Sequence, residues 1–176
     1  MIKILFICHG NICRSTMCQS VFAHMVARRG LADMFEIDLA ATSREEIGNS
    51  PHYGTVRKLQ QEGIPRIPHR ARQMTRDDYV YYDYLIGMDS ENIRGMTRIA
   101  GGSDSQGKIY KLLEFAERGN DRGSAGGSAG RVRDVADPWY TGDFEVTYRD
   151  VTRGLSGFMD FLEQTITTGA SKKCMD

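Results

Sequence analysis

Apolar positions run almost unbroken over residues 2–7, with Lys3 the single interruption, and β-branched and aromatic side chains dominate the run. That composition predicts a strand buried on both faces, ending at Cys8. From Ser15 the spacing turns helical, with Met17, Val21 and Met25 on one line and Cys18, Phe22 and Val26 beside it. Gly30 stops this helix, and Arg28 and Arg29 complement the negative end of its dipole. The chain therefore opens as strand, tight loop, helix.

The alternation recurs. A second strand is expected over Phe35–Ala41, a helix over 51–62 capped by Ser50 and closed by Gly63, and a third strand over 84–88. Thr75 and Asp78 form a capping box for a short helix before that strand, and 108–113 is the best candidate for a fourth strand. Phe144, Tyr148, Val151, Leu155, Phe158 and Leu162, spaced by four and three, describe the apolar face of a long terminal helix capped by Asp143. Strands alternating with helices predict an α/β fold, a small doubly wound parallel sheet covered on both faces. Ligands in that class bind at the carboxyl ends of strands, which is where Cys8 lies.

Composition narrows the possibilities. The 176 residues fit one domain, expected over 1–168, with a flexible Gly/Ser loop at 119–130, where GSAG occurs twice, and a disordered tail at 169–176. Lys plus Arg and Asp plus Glu both number 23, so overall charge draws the chain neither to nucleic acid nor to an acidic membrane. Three of the four cysteines bunch at Cys8, Cys13 and Cys18, unlike a secreted disulfide framework, so a reducing cytoplasmic location is expected. The opening apolar run is too short for a signal peptide or a membrane span, and Cys174 lies one place too near the end for a prenylation box.

Residues 8–15 read Cys-His-Gly-Asn-Ile-Cys-Arg-Ser, placing a cysteine and an arginine six positions apart between strand and helix. A loop of this length, formed by His9, Gly10, Asn11, Ile12 and Cys13, can curl until its backbone N–H groups converge. The following helix adds its positive end. Gly10 is expected to take backbone angles closed to larger residues, and the Asn11 side chain to bond locally. Arg14 supplies a fork matching two phosphate oxygens. A thiol at the base of that cradle is stabilised as its anion, with Ser15 placed to donate to the sulfur. The cysteines and His9 match no common zinc spacing, so neither metal nor cofactor is expected.

This loop resembles the hallmark of the low-molecular-weight protein tyrosine phosphatases. The likeness extends in order through Ala40-Ala41-Thr42-Ser43, Glu46-Ile47-Gly48-Asn49, His69-Arg70-Ala71-Arg72-Gln73, Asp83-Tyr84, Met88-Asp89 and Asp137-Pro138-Trp139-Tyr140. The resemblance implies a flavodoxin-like domain around a four-stranded parallel sheet. It implies a metal-free enzyme acting on phosphotyrosine proteins, as a monomer or with weak self-association, in which Cys8 attacks phosphorus and Asp137 protonates the leaving oxygen. It also implies that His69 contacts Asn11 and that Cys13 can form a reversible disulfide with Cys8. A small packed residue at position 13 is an equal alternative. Trp139, Tyr140 and Glu45 are the expected substrate walls; Pro138 holds Asp137 extended.

Four positions depart from the family pattern: Thr16 replaces a common proline, Leu39 a serine behind the loop, Glu45 an aromatic wall residue, and His9 an apolar neighbour of the nucleophile. Stiffness behind the loop and substrate preference are the properties these departures touch. Three alternatives compete with this reading. An arsenate reductase needs further cysteines, absent between Cys18 and Cys174; an arginine phosphatase tends to carry threonine at Ile12; a non-catalytic phosphoprotein-binding module has no use for Asp137.

Overall fold

β1 (Ile2–Cys8) is the inner strand from which the site is built. It pairs in parallel with β2 (Phe35–Ala41) on one side and with β3 (Tyr84–Gly87) on the other, and β3 pairs in parallel with β4 (Ile109–Lys111). The four-stranded order is β2-β1-β3-β4, so the chain changes direction across β1 and leaves a crevice at that strand's carboxyl end. In register, Cys8 stands opposite Ala41 and Ile7 opposite Gly87. The computed structural model describes residues 1–118 and 132–173.

The period-two alternation of β1 feeds two cores. Ile4, Phe6 and Cys8 face a cluster with Met17, Cys18 and Phe22 of α1 (Arg14–Arg28), Phe115 of α5 (Leu112–Arg118), and Val151, Leu155, Phe158 and Leu162 of α7 (Phe144–Lys173). Leu5 and Ile7 face the opposite cluster, with Met74, Tyr79 of α3 (Arg76–Tyr81) and Met96 of α4 (Ser90–Ile99). Both faces of the sheet are thus covered, as the unbroken apolar run of β1 requires. The first core is aromatic, with Phe22 edge-on to Phe6 at 5.8 Å and Phe115 tilted against Phe158 at 4.7 Å. Each fully buried ring contributes about 1.5–3 kcal/mol. Small residues let α7 approach α5 closely: a Cβ on Gly157 would lie 2.2 Å from the Phe115 carbonyl oxygen.

The α/β class and the expected capping box are observed, the Thr75 hydroxyl accepting from the Asp78 amide and the Asp78 carboxylate from that of Thr75. Asp143 caps α7 through the Val146 amide at 3.0 Å. Three boundaries differ from expectation. The second helix, α2, is Tyr53–Gln61, and its cap is His52, not Ser50: the His52 ring stacks on Phe144, and its Nδ1 accepts from the Gly54 amide. Ser50 instead accepts from Arg70. β4 has three residues, because Leu112 and Leu113 already belong to α5 and bury themselves against the first core. α7 continues through Lys173, past residue 169 where a tail was expected to begin, while 174–176 and the repeated GSAG segment lie outside the described residues. α4 and the short α6 (Pro138–Thr141) carry no expectation from sequence. Among the described residues, no helix is long and apolar enough to cross a membrane.

Candidate active site

β1 delivers Cys8 to the crevice and α1 begins at Arg14, so the intervening loop must reverse within five residues. The left-handed backbone that makes this possible falls on Asn11, at φ 61°, and not on Gly10 as expected from sequence. Asparagine tolerates that region because its side chain bonds locally. A Cβ at Gly10 would stand 3.1 Å from Cγ of Glu46, a tight contact to which the Glu46 side chain would have to give way. The curl turns the Asn11 amide onto the nucleophile candidate, with N···Sγ of Cys8 at 3.2 Å. Cys13, at the N-cap of α1, makes no side-chain cap bond. Thr16 tightens the helix start, its hydroxyl donating to the carbonyls of Ile12 at 2.9 Å and Cys13 at 2.8 Å.

Behind the loop, bond directions are set by which atoms can donate. Asn11 Oδ1 can only accept, so His69 Nε2, 2.6 Å away, carries the proton, and the Arg72 amide donates to the same oxygen at 3.2 Å. Asn11 Nδ2 donates to Ser15 Oγ at 2.9 Å, which leaves the Ser15 hydroxyl proton for Cys8 Sγ at 3.2 Å. Burial lowers the His69 pKa below its ordinary value, in keeping with a neutral ring that donates from Nε2. Leu39 is fully buried in the first core and brings no polar side-chain group to this network; the Asn11 side chain accepts from His69 and the Arg72 amide and donates to Ser15.

Arg14 is buried, and its fork spans two carboxylates: Nη1 donates to Asp89 Oδ2 at 2.6 Å and Nη2 to Asp137 Oδ2 at 2.8 Å. Burial works against its charge, but the charges of Cys8, Asp137 and Asp89 prevail and raise its pKa above the ordinary arginine value. Asp89 has a second task, its Oδ1 accepting from the Asn92 amide as the N-cap of α4. Sequence reading assigned Asp89 no role; a helix cap next to a strand end was the available signal, but its partner is 75 positions away. Asp137 is extended before Pro138, and its Oδ1 caps α6 through the Trp139 amide at 3.1 Å.

The cleft over Cys8 is bordered by Glu45, Glu46, Trp139 and Tyr140. Trp139 is 58% and Tyr140 84% exposed, so their rings are free to wall a flat guest. His9 faces Glu45 across the mouth at 3.0 Å. His52, left without a role in the sequence reading, supports this wall, its ring lying 5.9 Å from that of Trp139. Ile12 and Cys13 are buried with Ala71. Burial and the neighbouring Cys8 and Asp137 push the Cys13 thiol up to about 12. Among the described residues, no three His, Cys, Asp or Glu side chains are grouped to hold a metal ion.

Comparison with known proteins agrees with this geometry. A family model described as low molecular weight phosphotyrosine protein phosphatase matches residues 3–168. The Bacillus subtilis low molecular weight protein-tyrosine-phosphatase YfkJ is 39% identical over 145 residues, 82% of this chain and 85% of that one. The rat low molecular weight phosphotyrosine protein phosphatase is 34% identical over 90% of this chain and 94% of its own. The crystal structure of YfkJ superposes with a TM-score of 0.82 at 34% identity, covering 94% of this chain and 96% of that chain. With its crevice at the end of β1 and its Cys8–Arg14 loop in place, the chain belongs to the low molecular weight phosphotyrosine protein phosphatase family.

Proposed function

We propose that this chain, a protein tyrosine phosphatase by family, hydrolyses phosphotyrosine in proteins by two displacements at phosphorus. Cys8 is the nucleophile, Arg14 the phosphate clamp, and Asp137 the acid and then the base. The observation that carries this reading is the surround of one sulfur. Cys8 Sγ lies 3.2 Å from the Asn11 amide and 3.2 Å from the Ser15 hydroxyl, on a loop that ends in a buried arginine. Both groups are aimed at the sulfur that has to attack phosphorus.

The substrate phosphoryl group enters the loop and takes the Arg14 fork, releasing the Asp137 carboxyl from Nη2. Sulfur then attacks in line: an S–P bond forms, the ester P–O bond breaks, and the proton of Asp137 goes to the departing phenolate oxygen. In the second displacement water attacks the cysteinyl phosphate, its proton passes to Asp137, and the S–P bond breaks to restore the thiolate. Arg14 and the loop amides hold the equatorial oxygens through both steps. Trp139 and Tyr140 receive the aromatic ring. The substrate is a phosphotyrosine-bearing protein; a monomer, or a weakly self-associating chain, suffices because every named group comes from one chain. The free thiols Cys8, Cys13 and Cys18 suit a reducing, cytoplasmic setting.

The test is turnover of p-nitrophenyl phosphate and of phosphotyrosine, phosphoserine and phosphoarginine peptides, with and without chelator. Phosphotyrosine is expected to be preferred and the chelator to have no effect. Cys8→Ser is expected to abolish turnover and Asp137→Asn to slow it roughly 10²–10⁴-fold. Near-normal rates in either variant overturn the assignment, and a preference for phosphoarginine overturns the substrate class.

A further inference from the structure

The segment leading into Asp137 is held along its whole length. The Val132 carbonyl accepts from Lys111 Nζ at 2.7 Å, the Val135 amide donates to the Met88 carbonyl at 2.9 Å, and the Val135 carbonyl accepts from Arg14 Nη1 at 3.4 Å. Asp134 is paired with Lys111 at 2.6 Å and accepts from the Ser90 amide at 3.1 Å. Ala136, the residue before the acid, is gripped on both sides by α7. Its amide donates to Asp150 Oδ2 at 3.0 Å, and its carbonyl accepts from the Thr147 hydroxyl at 2.9 Å.

Asp150 is the unusual member of this set. It is a buried carboxylate, 5% exposed, facing a backbone amide and the Arg133 guanidinium, whose Nη2 approaches Oδ1 at 2.5 Å and Nη1 approaches Oδ2 at 3.2 Å. A buried carboxylate is costly unless it is paired and fully bonded. Here both of its oxygens are spent on the strap 133–136, one residue from the acid, and none on the core. We propose that Asp150 is a positioning residue for the reaction: by fixing Ala136 and Arg133 it sets where the Asp137 carboxyl stands over the cleft. Thr147 completes the grip from the preceding turn of the same helix.

The inference rests on Asp137 being the general acid, and the test separates the two. A poorly departing phenolate needs the proton and a readily departing one does not. The ratio of kcat/KM for dinitrophenyl phosphate over phenyl phosphate therefore reads how well the acid is placed, and it is insensitive to the fraction of enzyme folded. Asp137→Ala sets the upper limit of that ratio. Asp150→Ala is expected to lower kcat/KM for phenyl phosphate roughly 10–100-fold, the scale of an ångström's misplacement, with little change for dinitrophenyl phosphate. Asp150→Asn retains an oxygen for the Ala136 amide and is expected to return the ratio most of the way to wild type. Thr147→Val, close in shape, is expected to raise the ratio in the same sense and serves if Asp150→Ala does not fold. Should Asp137→Ala raise the ratio while the Asp150 and Thr147 variants scale both substrates equally, the positioning role is overturned and the acid assignment stands. Should Asp137→Ala leave the ratio unchanged, the acid assignment itself fails and the inference with it.

Discussion

Replacing Asn11 by alanine removes a side chain that does three things at once and leaves its backbone where alanine is strained. Three hydrogen bonds disappear: the one Asn11 Nδ2 donates to Ser15, and those Oδ1 accepts from His69 and the Arg72 amide. At about 1 kcal/mol net for each bond, this loss is about 3 kcal/mol. Holding alanine at the observed φ of 61° adds about 1–2 kcal/mol. The total, about 4–5 kcal/mol, is a large share of the roughly 5–15 kcal/mol that keeps a domain folded. Asn11→Gly loses the same bonds but not the strain, and after its own entropic cost of about 0.5–1 kcal/mol it should be about 1 kcal/mol more stable than the alanine variant. Urea melts of the three proteins measure this ladder. Activity should follow a different order. Both variants free the Ser15 hydroxyl from its fixed direction, so both should lose roughly 10-fold in kcat/KM, less than the ~10²–10³ of deleting a transition-state donor outright. If Asn11→Ala melts within about 0.5 kcal/mol of wild type, or if alanine and glycine variants coincide, the network and the strained turn do not carry the loop as argued.

Two further outcomes follow from the same structure. At neutral pH, iodoacetate should alkylate Cys8 well before Cys13 and Cys18, because Cys13 has its thiol pushed up to about 12 and Cys18 is fully buried with its pKa raised by burial and by Cys8; peptide mass spectrometry reads the order, and equal labelling of all three contradicts it. Burial pushes the Asp38 carboxyl up, but the Leu39 amide and Arg72 together bring it below the ordinary aspartate value of 3.8. The folded state thus binds fewer protons there than the unfolded chain, so this contribution to stability is complete above 3.8 and is lost as pH falls through the depressed folded value. Asp38→Asn should flatten the acid side of a stability–pH curve, and an unchanged acid limb would speak against the pairing.

The parts of this protein legible in its sequence are those whose cause is local. β1 announces itself because burial on both faces leaves no polar alternation, and α1 because Met17, Val21, Cys18 and Phe22 pack one core. Cys8 and Arg14 lie on one loop, so their meeting is a matter of spacing. The boundaries went astray where a distant residue intervenes. His52 caps α2 in place of Ser50 because its ring is stacked on Phe144. The strained backbone sits on Asn11 because its side chain is anchored by His69 and Arg72, 58 and 61 positions away. α4 had a visible signal in Asp89 capping Asn92 with Ile93 and Met96 behind it, masked by Gly95 and by the poor helix propensity of its first residues. Asp89, Lys111 and Asp150 support the site from separate elements, and a long-range ion pair leaves no mark on the local pattern.

The proposed mechanism requires phosphorus to become bonded to one sulfur during turnover. Enzyme mixed with a phosphotyrosine peptide, quenched within milliseconds and digested, should yield the Cys8 peptide heavier by one phosphoryl group, transiently and with substrate present only. Phosphate released with no such adduct at any quench time, or an adduct found on another residue, would contradict it.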